Sequence, residues 1–265
     1  MVSIRKAAVA GQFYPDDPQQ LHEIISGLLS EAASLEKSNG QPKAIIVPHA
    51  GYIYSGLAAA SAFASLLPFR KKITRIVLLG PSHRVGFKGL AVSSADYFQT
   101  PLGDIPIEKE TIAQILSLPQ VSSLDEAHQL EHSLEVELPF LQEVLDDFSL
   151  IPIVVGDADG QAVSEVLELL WGSEETLIVI SSDLSHFHEY KTAQQQDEAT
   201  CQAIETLAPE LINYDDACGR NPIKGMLVSA QKHNLRVTTL ALCNSGDTAG
   251  DKNRVVGYGA WALTP

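Results

Sequence analysis

Apolar positions along the chain follow two alternating rhythms. Short continuous apolar runs, rich in β-branched residues, lie at 44–48, 75–80, 90–94, 150–156 and 176–182. Runs of this kind predict strands buried on both faces. Between them the apolar positions recur with a helical period. Leu21, Ile24, Ile25, Leu28 and Leu29 trace one buried stripe, and Asp16-Asp17-Pro18 ahead of them supplies a cap and a proline suited to a first turn. The small-residue segment 56–67 reads as a helix that packs closely on a sheet, and further helices are expected near 108–118, 133–146, 161–171 and 190–207, with one starting at Pro222-Ile223. The last two runs, 237–242 and 255–263, read as strands that are antiparallel at one edge. Ser38-Asn39-Gly40-Gln41-Pro42 is expected to be a turn rather than a linker. The alternation predicts an α/β fold, one domain over 1–265, with a mostly parallel central sheet flanked by helices.

Charge narrows the choice of partners. The net charge of −15 argues against nucleic acid, whose phosphates need a cationic face, and against an anionic membrane surface. Three cysteines, Cys201, Cys218 and Cys243, form no framework of close pairs, which suits a reducing compartment. No leader-like apolar run follows the first residues, and no stretch is read as a membrane span. Together these readings point to a cytoplasmic protein.

The candidate chemistry is positional. Three of the expected strands end in polar clusters that contain histidine: Pro48-His49, Pro81-Ser82-His83 and Asp183-Leu184-Ser185-His186. Parallel strands finish at one rim, where ligands of open α/β sheets bind. His49, His83, Asp183 and His186 should therefore converge. Glu131-His132-Ser133 opens a later helix and offers His132 as an acid/base, while Asn244-Ser245-Gly246-Asp247 offers Asp247 as a carboxylate. Imidazoles with a carboxylate and open positions suit a non-haem iron centre, and the same set could hold zinc for hydrolysis. The plainer readings stand beside these: strand-end histidines can cap turns, Asp247 can close an Asx turn, and His22, His128 and His188 read as surface residues. His233 ends a helix, where a cation is favoured.

Ordered motifs carry a resemblance. R-K-A-A-V-A-G-Q-F-Y-P (5–15), V-P-H-A-G-Y-I-Y-S-G (47–56), L-G-P-S-H (79–83), the segment 125–142, I-P-I-V-V-G (151–156), S-S-D-L-S-H-F (181–187), C-G-R-N-P-I (218–223) and N-S-G-D (244–247) run nearly end to end. Together they resemble the Memo family, the protein B partner of an AMMECR1-like protein and a radical SAM enzyme in a shared gene association. The resemblance implies a fold similar to class III extradiol dioxygenases, which use non-haem Fe(II) to cleave catechol rings. It matches His49 and His83 to two metal ligands, and Asp183, His186 and His132 to polar pocket residues. A cysteine supplies the third ligand in animal members; Thr248 is placed at that position here, beside Asp247. Asp247 is then the expected third ligand, with Cys243 less favoured. The implied activity is a mononuclear oxidoreductase with Fe(II) first, copper second and a zinc hydrolase as the rival. A non-catalytic pocket for a peptide or small molecule is the reading from another class.

Overall fold

The computed structural model describes residues 2–33 and 40–265. The turn expected over Ser38–Pro42 therefore lies partly outside the described residues. Twelve strands are placed among them: β1 (Ile4–Arg5), β2 (Ala44–Val47), β3 (Arg75–Pro81), β4 (Leu90–Val92), β5 (Tyr97–Thr100), β6 (Gly103–Pro106), β7 (Val121–Ser123), β8 (Ser149–Val155), β9 (Thr176–Ser181), β10 (His186–His188), β11 (Arg236–Asn244) and β12 (Val255–Thr264). The α-helices are α1 (Pro18–Ala33), α2 (Tyr52–Phe63), α3 (Lys109–Ile115), α4 (Asp125–Gln129), α5 (Leu138–Val144), α6 (Gly160–Leu170), α7 (Tyr190–Glu205) and α8 (Arg220–Lys232).

The main sheet runs β10-β12-β2-β9-β3-β8-β4-β7, with β11 paired to β12. Its centre, β2-β9-β3-β8, is parallel, as continuous apolar runs require when helices cover both faces. The flanks are antiparallel: β4 on β8, and β12 on both β2 and β11. The sheet as a whole is thus mixed around a parallel core. β1, β5 and β6 form a separate small sheet, and β7 joins the far edge of the main one. These short, polar strands lack the apolar runs that marked the centre.

Local chemistry explains the helix starts and the close packing. Asp17 accepts from the Gln20 backbone N–H at 2.9 Å and so caps α1 just ahead of Pro18. Gly56 lies where α1 meets α2: a Cβ there would stand 2.8 Å from Leu28 Cδ1. A side chain at this position would require the Leu28 side chain to move aside. The continuous helical stretch Tyr52–Phe69 is long and apolar enough to cross a membrane by length and composition alone, but 61% of it is buried inside the protein, as in a core helix. Its alanines serve the core.

His128 departs from the sequence expectation. It was expected at the surface, yet it is buried, with Nε2 3.0 Å from the Ala91 carbonyl and Nδ1 without a partner. Nε2–H must be the donor, so a proton added at Nδ1 would be stranded. Burial accordingly holds this histidine down at about 4. In the unfolded chain it would take up a proton below about pH 6.5. Folding stability should therefore fall as pH drops from about 6.5 to about 4, by on the order of 3 kcal/mol from this group. Urea midpoints at pH 7 and pH 4.5 check this, with His128→Gln expected to flatten the difference. Parallel pH profiles for the two proteins would discount His128.

Candidate metal centre

β9 lies between β2 and β3, so His49 and His83 leave the sheet on either side of the β9 end. Strands two positions apart are separated by roughly 10 Å. The side chains close that gap: the His49 and His83 rings are 5.2 Å apart, edge to face. His132 completes the group, 5.3 Å from His49 and stacked 4.6 Å from His83. One nitrogen from each of the three rings falls within 4.8 Å of the others, so the group could hold a metal ion.

Each ring is aimed by a fixed partner. His49 Nδ1 is 2.7 Å from Ser181 Oγ, leaving Nε2 for the cavity. His83 Nδ1 is 2.8 Å from Glu131 Oε1, and the His83 backbone N–H donates to Glu131 Oε2 at 2.6 Å. The same carboxylate accepts from the backbone N–H groups of His132 and Ser133, both at 3.0 Å. Burial alone would raise the Glu131 pKa, but the His83 side chain and these donors bring it down to about 2. Glu131 is therefore a fixed anion behind the rings. An imidazole whose remote nitrogen donates to a carboxylate is the usual outer arrangement of a metal-bound histidine.

Electrostatics favour the neutral, ligating form of His49 and His132. Burial, then the neighbouring imidazoles, press His49 well below its ordinary value. Burial and His83 lower His132 to about 4. These rings can accept a cation near neutral pH without first losing protons. Behind His49, the Ser181 hydroxyl has two acceptors within reach, the Ser133 carbonyl at 2.5 Å and Glu137 Oε1 at 2.9 Å. Burial raises the Glu137 pKa well above the ordinary carboxylate range.

The other expected site residues fall in different places. Asp183 lies beneath the cluster, where its Oδ1 accepts from the His49 backbone N–H at 2.8 Å. It shapes the His49 loop, whereas Ser181 is the partner of the His49 ring at Nδ1. Burial raises Asp183 to about 7. His186 lines the neighbouring cavity together with His83. Its Nδ1 is 2.7 Å from the Leu184 carbonyl, so Nδ1–H donates and Nε2 is left without a partner among the described residues.

Asp247 is not in the cluster. β11 is two strands out from β2, which places its end roughly 10 Å along the rim. There the Asp247 carboxylate is consumed locally, accepting from the Asn244 N–H at 3.0 Å and from the Tyr190 hydroxyl. Thr248 lies on the same turn and hydrogen-bonds Ser245, and the neighbouring Cys243 pairs with Tyr258 on the outer strands β11 and β12. The cysteine that meets the imidazoles is Cys218, ahead of α8, with Sγ 3.4 Å from His49 Nε2. Burial, then Asp183, pushes its thiol up to about 12, so it stands there as a thiol. The C-G-R-N-P-I motif was the signal for it.

The donor set of three imidazoles with a nearby thiol suits iron, copper or zinc and would not suit magnesium or calcium. Comparison with known proteins agrees with the motifs. The Memo-like protein family model matches residues 5–262. A MEMO1 family protein of Aquifex aeolicus is 38% identical over 96% of this chain and 97% of its own length. One of Methanosarcina barkeri is 36% identical over 97% and 98%, and one of Metallosphaera sedula 33% over 96% and 97%. An uncharacterized protein of Escherichia coli K12 superposes over 82% of this chain and 98% of its own at 11% identity and a TM-score of 0.49, too weak a likeness to carry a conclusion. The α/β architecture is the one that the resemblance implied, and with a family match running almost from end to end the chain belongs to the Memo-like protein family.

Proposed function

We propose that this chain is a mononuclear metal protein of oxidoreductase type, with iron first and copper second, acting on a small molecule in the pocket beside the histidines. The observation that carries the reading is the convergence of His49, His83 and His132, each within ligating reach of the others. A bound ion would supply Lewis-acid or redox chemistry at a face left open by only three protein donors. The protein's own contribution is positional. Ser181 and Glu131 hold the rings, Asp183 ties down the His49 loop, and His186 presents a free Nε2 to the cavity as proton donor or acceptor.

A second reading has its own support. Three histidines and no carboxylate is a known donor set for catalytic zinc, and Asp247 does not supply the carboxylate of an iron facial triad. Elemental analysis of protein purified anaerobically separates the two. About one equivalent of iron or copper is expected, followed by oxygen uptake with a catechol panel. Zinc at one equivalent, with ester or amide turnover in the absence of oxygen, would favour the hydrolase. Protein that takes up none of these ions at micromolar concentration would end both.

Glu131→Gln offers a finer check. Its neutral amide cannot accept from His83 and the backbone N–H groups as the carboxylate does, so metal affinity is expected to fall about 10–100-fold while the fold persists. Unchanged affinity in a metal titration would remove Glu131 from the account.

A further inference from the structure

The proposed metal centre opens onto a cavity of about 440 Å3 whose wall includes His83, His186, His188, Tyr214, Asp215 and Arg220. A second cavity of about 390 Å3 shares Tyr214, Cys218 and Arg220. Arg220 thus stands between the two, with its guanidinium carbon 3.9 Å from the centroid of the Tyr214 ring. The ring holds the planar fork in place without using its hydrogen bonds.

Arginines collect around this pocket although the molecule is acidic overall, with Glu131 the fixed anion behind His83. The chain has 33 acidic and 18 basic residues, so acidic neighbours are plentiful. Arg5, Arg70 and Arg75 each have an ion-pair partner. Among the described residues Arg84, Arg220, Arg236 and Arg254 have none. Three of these four gather at the histidines. Arg84 follows His83 in sequence and acts electrostatically on His132; Arg220 lines the cavity; Arg254 stacks 4.3 Å over Phe187, the residue after His186. Phe187 has φ 65°, an uncommon backbone state for a bulky residue and one that concentrates at binding sites. Among the described residues Asp215 is the one carboxylate lining this cavity, and its side chain forms no ion pair with these cations.

We infer that the pocket recognises a small oxyanion-bearing molecule, with Arg220 gripping the carboxylate or phosphate and the remainder of the ligand reaching the histidines. The inference rests on the metal-centre reading only for which end of the ligand reacts. An arginine fork fits both oxyanions in a bidentate manner, and a cavity of this size is on the scale of a small-molecule site. Diffusion of such a ligand toward a protein of this net charge needs a local cationic mouth, which the unpaired arginines supply.

The test is a ligand-observed NMR titration of the full chain, treated with chelator and also metal-loaded. Benzoate, phenyl phosphate and the neutral benzamide are the probes. Benzoate or phenyl phosphate should bind at least about tenfold more tightly than benzamide in both forms, and more weakly as salt rises. The tighter of the two identifies the oxyanion. Arg220→Met should remove this preference, and Arg220→Lys, which keeps the charge and loses the fork, should retain part of it. Circular dichroism and metal content should match the unsubstituted protein in both variants. Equal binding of benzoate and benzamide, no binding of either oxyanion at millimolar concentration, or an unaltered preference in Arg220→Met would each overturn the inference. Failure of the metal reading would look different: no metal uptake, with the preference for oxyanions intact in the chelator-treated protein.

Discussion

Replacing His83 with alanine is expected to weaken metal binding by more than about a hundredfold, beyond the loss that follows removal of an outer partner. The ring contributes one of three nitrogens within 4.8 Å of each other. Its removal leaves two donors and strands Glu131, whose Oε1 then keeps only backbone N–H groups and a contact with His132. His49→Ala should act as strongly for a different reason, because it also exposes Ser181 and the buried Glu137 to a void. Competition against a chromogenic chelator measures both affinities. Stoichiometric metal that survives both substitutions would mean that the ion is held elsewhere. The fold should tolerate His83→Ala better, since His83 is partly exposed and His49 is buried.

The second large effect concerns stability. Glu135 is fully buried, and its carboxylate pairs with the Arg5 guanidinium. It also accepts from the Ala8 N–H at 2.8 Å, the Val9 N–H at 2.9 Å and the Tyr14 hydroxyl at 2.6 Å. Glu135→Ala would leave a buried cation and three donors without their acceptor. Breaking a buried pair from one side costs about 3–5 kcal/mol, and the stranded donors add to that. The damage should spread, because the N-terminal segment anchored here packs Phe13 on His132 and accepts from Tyr52 N–H at the start of α2. Urea unfolding checks the magnitude. A loss below about 1 kcal/mol would show that the N-terminal segment is held mainly by other contacts.

The convergence of His49, His83 and Asp183 was legible because it depends only on strand direction. The apolar runs identified β2, β3 and β9 as parallel, and parallel neighbours end at one rim. Strand order was not legible, and it misplaced Asp247: β11 also ends at that rim, but β12 intervenes between it and β2. His132 sits on a loop rather than a strand end, so the sheet says nothing about where it points. Its place is set by side-chain bonds, Ser133 Oγ to the Pro81 carbonyl at 2.8 Å and Glu131 to His83. The acidic run around it was visible, whereas the division of labour among Glu131, Glu135 and Glu137 depends on tertiary partners. Cys218 was hidden for a similar reason. It precedes a helix, and its approach to His49 crosses 169 positions of sequence.

Glu131 grips His83 by ring and backbone and His132 by its backbone, all with one carboxylate. The two histidines are therefore not separately adjustable parts. A small rotation of that single acid would displace both together, so errors there are shared rather than averaged out. Redesigning this centre for a different ion would have to begin with the loop as one rigid body, since exchanging ligands singly would leave each new side chain tethered to the old alignment.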